Sequence, residues 1–156
     1  MQIALFQPDI PQNTGTILRA CACLDVAVHI IEPAGFVLSD RLFRRAAMDY
    51  IDQVSLTRHD SWSHFEDWRR QAGHRLVLLT TRGAGSYLDF RYDGADILLF
   101  GRESRGVPEE VFAAADARLK IPIRAGLRSL NVAVAAAMVV GEALRQTGSF
   151  NRGTMA

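Results

Sequence analysis

The sequence predicts an α/β fold of one domain: a mostly parallel sheet with helices on both faces. Three observations predict it. Short apolar runs that end at proline or glycine turns alternate with segments whose apolar residues recur at helical spacing, the pattern of a sheet buried on both sides. At 156 residues and 49% apolar composition, the chain is long enough for one core and too short for two ordinary ones. No internal repeat or low-complexity linker divides it, and only Ser149 to Ala156 looks like a loose tail beyond a domain of residues 1–148.

Met1 to Phe6 is an apolar strand ended by Gln7-Pro8. Asn13 or Thr14 can cap the helix that follows, which carries Ile17, Leu18, Cys21 and Leu24 on one face. Val26 to Ile31 is a second strand, closed by Glu32-Pro33. A helix from Ser39 or Asp40 to Met48 would turn Leu42 and Phe43 inward and Arg41, Arg44 and Arg45 outward. Gln53 to Thr57 is a third strand. Ser63-His64-Phe65-Glu66 fits a capping box for a helix that stops at Gly73 and buries Trp62, Phe65 and Trp68.

Leu76 to Thr81 is a strand, Gly83 to Ser86 a loop, and Asp96 to Phe100 a strand that runs into the turn GRESRG. Pro108-Glu109-Glu110 opens a short helix with acids at its positive end. Leu119 to Ile123 is the last strand. Asn131 to Gln146 is the longest helix, with Ser129 as cap and Gly148 as stop. Ligands of such sheets bind at the carboxyl ends of the strands, which directs attention to Gln7–Gly15, Thr80–Gly85, Gly101–Gly106 and Arg124–Asn131.

Several chemistries lack their residues. The turn after the first strand, QPDIPQNTG, is no GxGxxG, and the loop after Phe100 has no Gly-Lys-Ser/Thr ending. In Gly101-Arg102-Glu103-Ser104-Arg105-Gly106 the serine stands one position too far from the first glycine for a nucleophile elbow. His29, His59, His64 and His74 are scattered along the chain, and no cluster with metal-ligand spacing exists, so no metal is expected. Cys21 and Cys23 diverge on a helix and read as small free thiols of a reducing compartment. Without a secretory signal or an apolar run near the roughly 20 residues of a membrane span, the expected location is the cytosol. The net charge is only +1, yet Lys120 is the sole lysine among 18 basic residues; the arginines suit bidentate phosphate recognition, and genomic base composition would give the same bias.

Three segments combine glycine, a polar group and a strand end: Asn13-Thr14-Gly15-Thr16-Ile17-Leu18-Arg19, Leu99 to Pro108, and Ile121-Pro122-Ile123 with Ser129-Leu130-Asn131. In order and spacing they resemble the three motifs of the SPOUT class of RNA methyltransferases, and the match extends over essentially the whole chain. Within that class, the opening ALFQPDIPQNTGTILRAC together with HIIEPAGF, RRAAMDY and LTRH is similar to the bacterial tRNA (cytidine/uridine-34-2'-O)-methyltransferases, which act on the wobble nucleotide.

The resemblance implies a C-terminal trefoil knot, a homodimer, S-adenosylmethionine as cofactor and tRNA as substrate. It places Leu79, Gly101, Ile121, Ser129 and Leu130 against the cofactor, with Ile121 and Leu130 sandwiching the base and Gly101 bare so that the adenosine can approach. Arg19 matches the catalytic arginine, and Asn13, Glu103 and Asn131 complete the site. A guanidinium with a pKa above about 12 is a poor base, which favours charge stabilisation over proton abstraction for Arg19. For the RNA backbone the candidates are Arg41, Arg44, Arg45, Arg124 and Arg128. Two positions depart from the resemblance: relatives often carry serine where this chain has Ala133, and an aromatic residue where it has Gly141. Methylation at another tRNA or rRNA site, or an RNA-binding subunit without catalysis, remain the alternatives; the joint presence of Asn13 and Arg19 speaks against the latter.

Overall fold

The structure is a computed structural model that describes residues 1–37 and 41–150, apart from the side chains of Leu42, Arg44, Met48 and Asp49. Its elements run β1 (Gln2–Phe6), α1 (Pro11–Leu24), β2 (Ala27–Ile31), α2 (Arg41–Ala47) with a 3-10 turn Met48–Asp52, β3 (Leu56–His59), α3 (Trp62–Ala72), β4 (Leu76–Leu79), β5 (Gly85–Ser86), β6 (Ile97–Phe100), α4 (Glu109–Ala114), β7 (Ala117–Lys120) and α5 (Val132–Thr147). The strands form one parallel sheet in the order β3-β2-β1-β6-β4-β7-β5.

The central strands are apolar throughout because each feeds two cores. In β1, Ile3 and Leu5 face a layer made by α1, α2 and α5, where Ile17, Leu18, Phe43, Val140 and Leu144 are buried. Ala4 and Phe6 point the other way, into a layer that contains Phe65 of α3 and Val111 of α4. Gly15 lets α1 and α2 touch, since a Cβ there would lie 2.6 Å from Ala46 Cβ and 2.8 Å from the Phe43 carbonyl. The two-helix-layer α/β fold is the expected one.

Boundaries differ where a neighbouring residue outbids the expected signal. Pro11 takes the first position of α1, so the helix begins before Asn13, and Ile10 stands at the cap without a side-chain bond. Ser61, not Ser63, caps α3 by accepting from the His64 N–H, which leaves Glu66 free to bind Arg69 and Arg70. Asn131, not Ser129, caps α5. The third strand starts at Leu56 rather than Gln53, and the last ends at Lys120, short of Ile123. Gly85–Ser86, expected as loop, pairs with β7 as an edge strand. Cys21 is buried as expected, with its thiol pushed up to about 12 by burial, whereas Cys23 is exposed. The expected start of the second helix at Ser39 or Asp40, the Leu42 side chain and residues 151–156 of the expected tail lie outside the described residues.

Candidate functional site

The carboxyl ends of β1, β4, β6 and β7 open onto a cavity of about 580 Å³, within the range of about 300–1,000 Å³ typical of small-molecule sites. Asn13, Leu79, Gly101, Glu103, Ile121, Ser129, Leu130 and Asn131 all line it. The three sequence segments, remote in the chain, thus share one wall.

That wall is a single run of hydrogen bonds. Asn131 Oδ1 accepts from the Ala133 N–H at 2.8 Å and the Val134 N–H at 3.3 Å, which fixes its amide and aims Nδ2 at Asn13 Oδ1, 2.9 Å away. Asn13 in turn donates from Nδ2 to Glu103 Oε1 at 3.3 Å. Glu103 Oε2 accepts from the Asp9 backbone N–H at 2.9 Å. The first turn of α1, the turn after β6 and the start of α5 are thereby held in register.

Asp9 closes the run from the other side. Its carboxylate accepts from Arg102 Nε at 3.0 Å, from the Ser104 N–H at 3.1 Å and from the Ser104 hydroxyl, while Arg102 also donates to Gln7 Oε1 at 3.3 Å. Burial is the largest single influence on the Asp9 carboxyl and pushes its pKa up, but the bonds from Ser104 and Arg102 together outweigh it and hold the group below the usual carboxylate range. The turn itself is closed by paired bonds between the Arg102 and Gly106 backbones, at 2.9 and 2.8 Å. Gly101 serves this closure, because a Cβ there would meet the Gly106 backbone at 2.7 Å; room for a ligand is not its only reason.

A purine nucleoside with a charged amino-acid tail fits this donor set. Leu79, Ile121, Ile123 and Leu130 supply apolar surface for a base, and Thr80, Ser129 and strand-end backbone supply polar partners. Among the described residues no group of side chains could hold a metal ion.

The structure does not bring every candidate to the cavity. Arg19 is exposed on α1, its guanidinium 5.2 Å from the centre of the Tyr50 ring, and it is not part of the lining. It lies about one and two-thirds turns beyond Asn13, roughly 9 Å along the helix and on another face. Arg128 lines the cavity; Arg124 is exposed beside it, and Arg41 and Arg45 are exposed on α2. The Arg44 side chain lies outside the described residues. Sequence reasoning missed Asp9, Arg102 and Arg105; two arginines inside a strand-end turn were the available signal for the latter pair, and Asp9 had none.

Comparison with known proteins places these features. Residues 1–141 match the model of the SpoU rRNA Methylase family. The chain is 64% identical over 147 residues to a tRNA (cytidine(34)-2'-O)-methyltransferase of Beijerinckia indica, covering 94% of this chain and 92% of that protein. It is 39% identical over 150 residues to the protein of the same name from Escherichia coli K12, covering 95% and 94%. A solved structure described as giving insights into the 2-OH methylation of C/U34 on tRNA superposes with a TM-score of 0.89 at 43% identity, over 93% of this chain and 94% of the other. The SpoU methyltransferase AviRb from Streptomyces viridochromogenes in complex with AdoMet superposes with a TM-score of 0.86 at 27% identity, over 94% of this chain and 60% of that one.

Proposed function

The chain belongs to the SpoU rRNA Methylase family, and from that premise we propose that it methylates the ribose 2'-hydroxyl of nucleotide 34 of tRNA, a cytidine or uridine, using S-adenosylmethionine. The similar proteins named for cytidine 34 support the substrate. The observation that carries the chemistry is the cavity at the strand ends with Asn13, Glu103 and Asn131 bonded along its wall.

Leu79, Ile121 and Leu130 would flank the cofactor's base, with backbone at Gly101 and Ser129 as polar partners. When bound, S-adenosylmethionine supplies a sulfonium methyl: the O–C bond forms, the C–S bond breaks, the sulfur keeps the electron pair and the hydroxyl proton leaves. Asn13, Asn131 and Glu103 orient the ribose, a task for which their mutual bonds pre-organise them. The Arg19 guanidinium stabilises the developing alkoxide, and a substrate phosphate takes the proton. Arg41, Arg44, Arg45, Arg124 and Arg128 contact the RNA backbone.

Arg19 stands outside its own chain's cavity, so its role is proposed together with a homodimer in which each copy presents Arg19 to the other's cavity. Exposed apolar side chains near the mouth support such a pair: Ile10 at the start of α1, Leu130 before α5, and Val134 and Met138 on its outer face. The same reading includes the trefoil knot. Its support is that β7 lies between the consecutive strands β4 and β5, while a Cβ on Gly83 in their connection would meet the Leu119 carbonyl of β7 at 2.6 Å. Among the described residues no helix is long and apolar enough to cross a membrane, and a tRNA substrate implies work in the cytosol.

The deciding assay supplies labelled S-adenosylmethionine and tRNA from cells lacking this gene, then maps the labelled nucleotide. Label at the 2'-oxygen of position 34 is expected; cofactor binding without transfer to any RNA would reduce the chain to a binding subunit. Mixing Arg19→Ala and Asn13→Ala proteins tests the shared site. If Arg19 acts across the dimer, the mixed dimer holds one intact site, and two inactive proteins regain about a quarter of wild-type transfer on random exchange. No recovery after verified exchange confines Arg19 to its own chain.

A further inference from the structure

Most described arginines are committed to partners in the chain. Arg69 binds Glu66 and Asp116, Arg75 binds Asp96, Arg102 binds Asp9, and Arg118 donates to the Phe112 and Ala113 carbonyls. Arg105 and Arg128 are different: both are exposed, both line the cavity, and among the described residues neither guanidinium meets an acceptor or a ring.

The turn that carries Arg105 makes the contrast local. Of its four central side chains, Arg102, Glu103 and Ser104 are all tied to the loop between β1 and α1. The backbone is pinned by the Arg102–Gly106 pair of hydrogen bonds, with Gly106 at φ +67° supplying the reversal. Arg105 is therefore an unspent cation on a fixed base, so an anion that binds it need not order the backbone as well. Among the described residues its only acidic neighbour in the lining, Glu103, already accepts from Asn13 and the Asp9 N–H, and three arginines of the lining stand against that one carboxylate.

We propose that Arg105, with Arg128 supplied by the loop before α5, grips a backbone phosphate of the RNA next to the nucleotide whose ribose enters the cavity. The inference rests on the proposed function and adds a substrate contact to it. A planar guanidinium fork matches two phosphate oxygens, and the exposure of both side chains places them where a strand crosses the mouth, not on the apolar floor. The other oxyanion within reach is the carboxylate of the cofactor's amino-acid tail, and the experiment separates the two.

Binding of a tRNA transcript is measured over a series of KCl concentrations for the wild type, Arg105→Ala and Arg105→Lys. S-adenosylhomocysteine binding is measured alongside by calorimetry. Arg91→Ala, an exposed arginine outside the cavity, is the control. Loss of one charged contact should weaken RNA binding of Arg105→Ala about tenfold. Its slope of log affinity against log salt should become shallower by about 0.7, the single-strand value per phosphate. Arg105→Lys should recover most of the slope, S-adenosylhomocysteine affinity should not change, and the control should match wild type. An unchanged slope overturns the proposal, and weakened S-adenosylhomocysteine binding reassigns Arg105 to the cofactor. Since these are binding measurements, a wild type that binds RNA yet transfers no methyl would sink the proposed function without deciding the Arg105 result. The side chain makes no bond among the described residues, so the Arg105→Ala melting temperature should equal that of the wild type.

Discussion

Two clusters of polar side chains sit on neighbouring strands of this sheet, and they are built differently. Beneath α3, His29 of β2 and His59 of β3 share one hydrogen bond, Nδ1 to Nε2 at 2.9 Å, inside a box of aromatic rings: Trp68 lies 4.5 Å from His29 and Phe65 5.2 Å from His59, centre to centre. The free nitrogen of His29 meets Gln2 Oε1. That cluster closes on itself. At the strand ends, Asp9, Glu103, Asn13 and Asn131 also satisfy one another, but across sequence separations of 90 to 118 residues, and the last three line a cavity. In the proposed function the second arrangement serves a ligand, whereas the first touches only protein, although both obey the rule that buried polar groups are bonded. Damage to the two should therefore separate in the assays.

The largest separation is expected at Asn13. Asn13→Ala removes the middle of the wall and releases both Glu103 and Asn131, and misplacement of a reacting group by about 1 Å costs on the order of 100-fold. Methyl transfer should fall by about that factor. The melting temperature should move by less than about 4 °C, because the side chain is only half-buried and its partners can turn to water. A large fall in melting temperature with unchanged transfer per folded molecule would place Asn13 with the histidines.

Much of this contrast was legible in the residues, and the reasons for the rest are physical. Alternation of apolar runs with helical spacing was enough for the parallel sheet, because strands such as β1 and β6 are apolar on both faces. Asn13, Gly101, Glu103, Ser129 and Asn131 lie in the strand-end segments that carry the family resemblance, which singled them out, and the cavity unites them. Asp9 could not. Its partners Arg102 and Ser104 lie more than 90 residues away, and no period in the chain encodes a contact between two loops. His29 and His59 were hidden likewise: separate positions become one pair only when β2 and β3 align in parallel. Arg19 stands apart from the cavity because six residues of α1 separate it from Asn13, a rotation of about 240° that turns it to another face.

The second effect should appear as pH-dependent stability with no counterpart in catalysis. Burial, followed by the neighbouring His59 and His74, lowers the His29 pKa to about 4 from 6.5, and burial lowers that of His59 as well. The unfolded chain then binds protons that the folded chain refuses, so the stabilisation is complete above the unfolded pKa and is lost as the pH falls from about 6.5 toward 4. From pH 7 to pH 5 the His29 share of that loss is about 2 kcal/mol. Denaturant unfolding across that range measures it. His29→Gln should flatten the dependence while leaving transfer per folded molecule at pH 7 as in the wild type; an equally steep curve would put the acid sensitivity elsewhere.

The smallest effect is expected at Asp9, and it tests the comparison most sharply, because Asp9 resembles the histidines in being held by protein groups and resembles Asn13 in bonding to Glu103 of the cavity wall. Asp9→Asn keeps the volume and the backbone N–H that Glu103 accepts, but it removes the charge and exchanges one acceptor oxygen for a donor. One of the three donors on that carboxylate, from Arg102 or Ser104, then loses its partner, at a cost of about 1–3 kcal/mol. If Asp9 positions the turn that holds Glu103, most of that loss appears in the reaction: kcat falls about tenfold, S-adenosylhomocysteine affinity holds, and Asp9→Glu, which restores the charge on a longer arm, recovers part of the rate. If Asp9 only braces the fold, the melting temperature drops by about 2–4 °C per kcal/mol lost, and the rate per folded molecule stays at the wild-type value. In the first case the cavity wall extends one residue beyond any group that can touch a ligand; in the second, the division between the two clusters runs between Asp9 and Glu103.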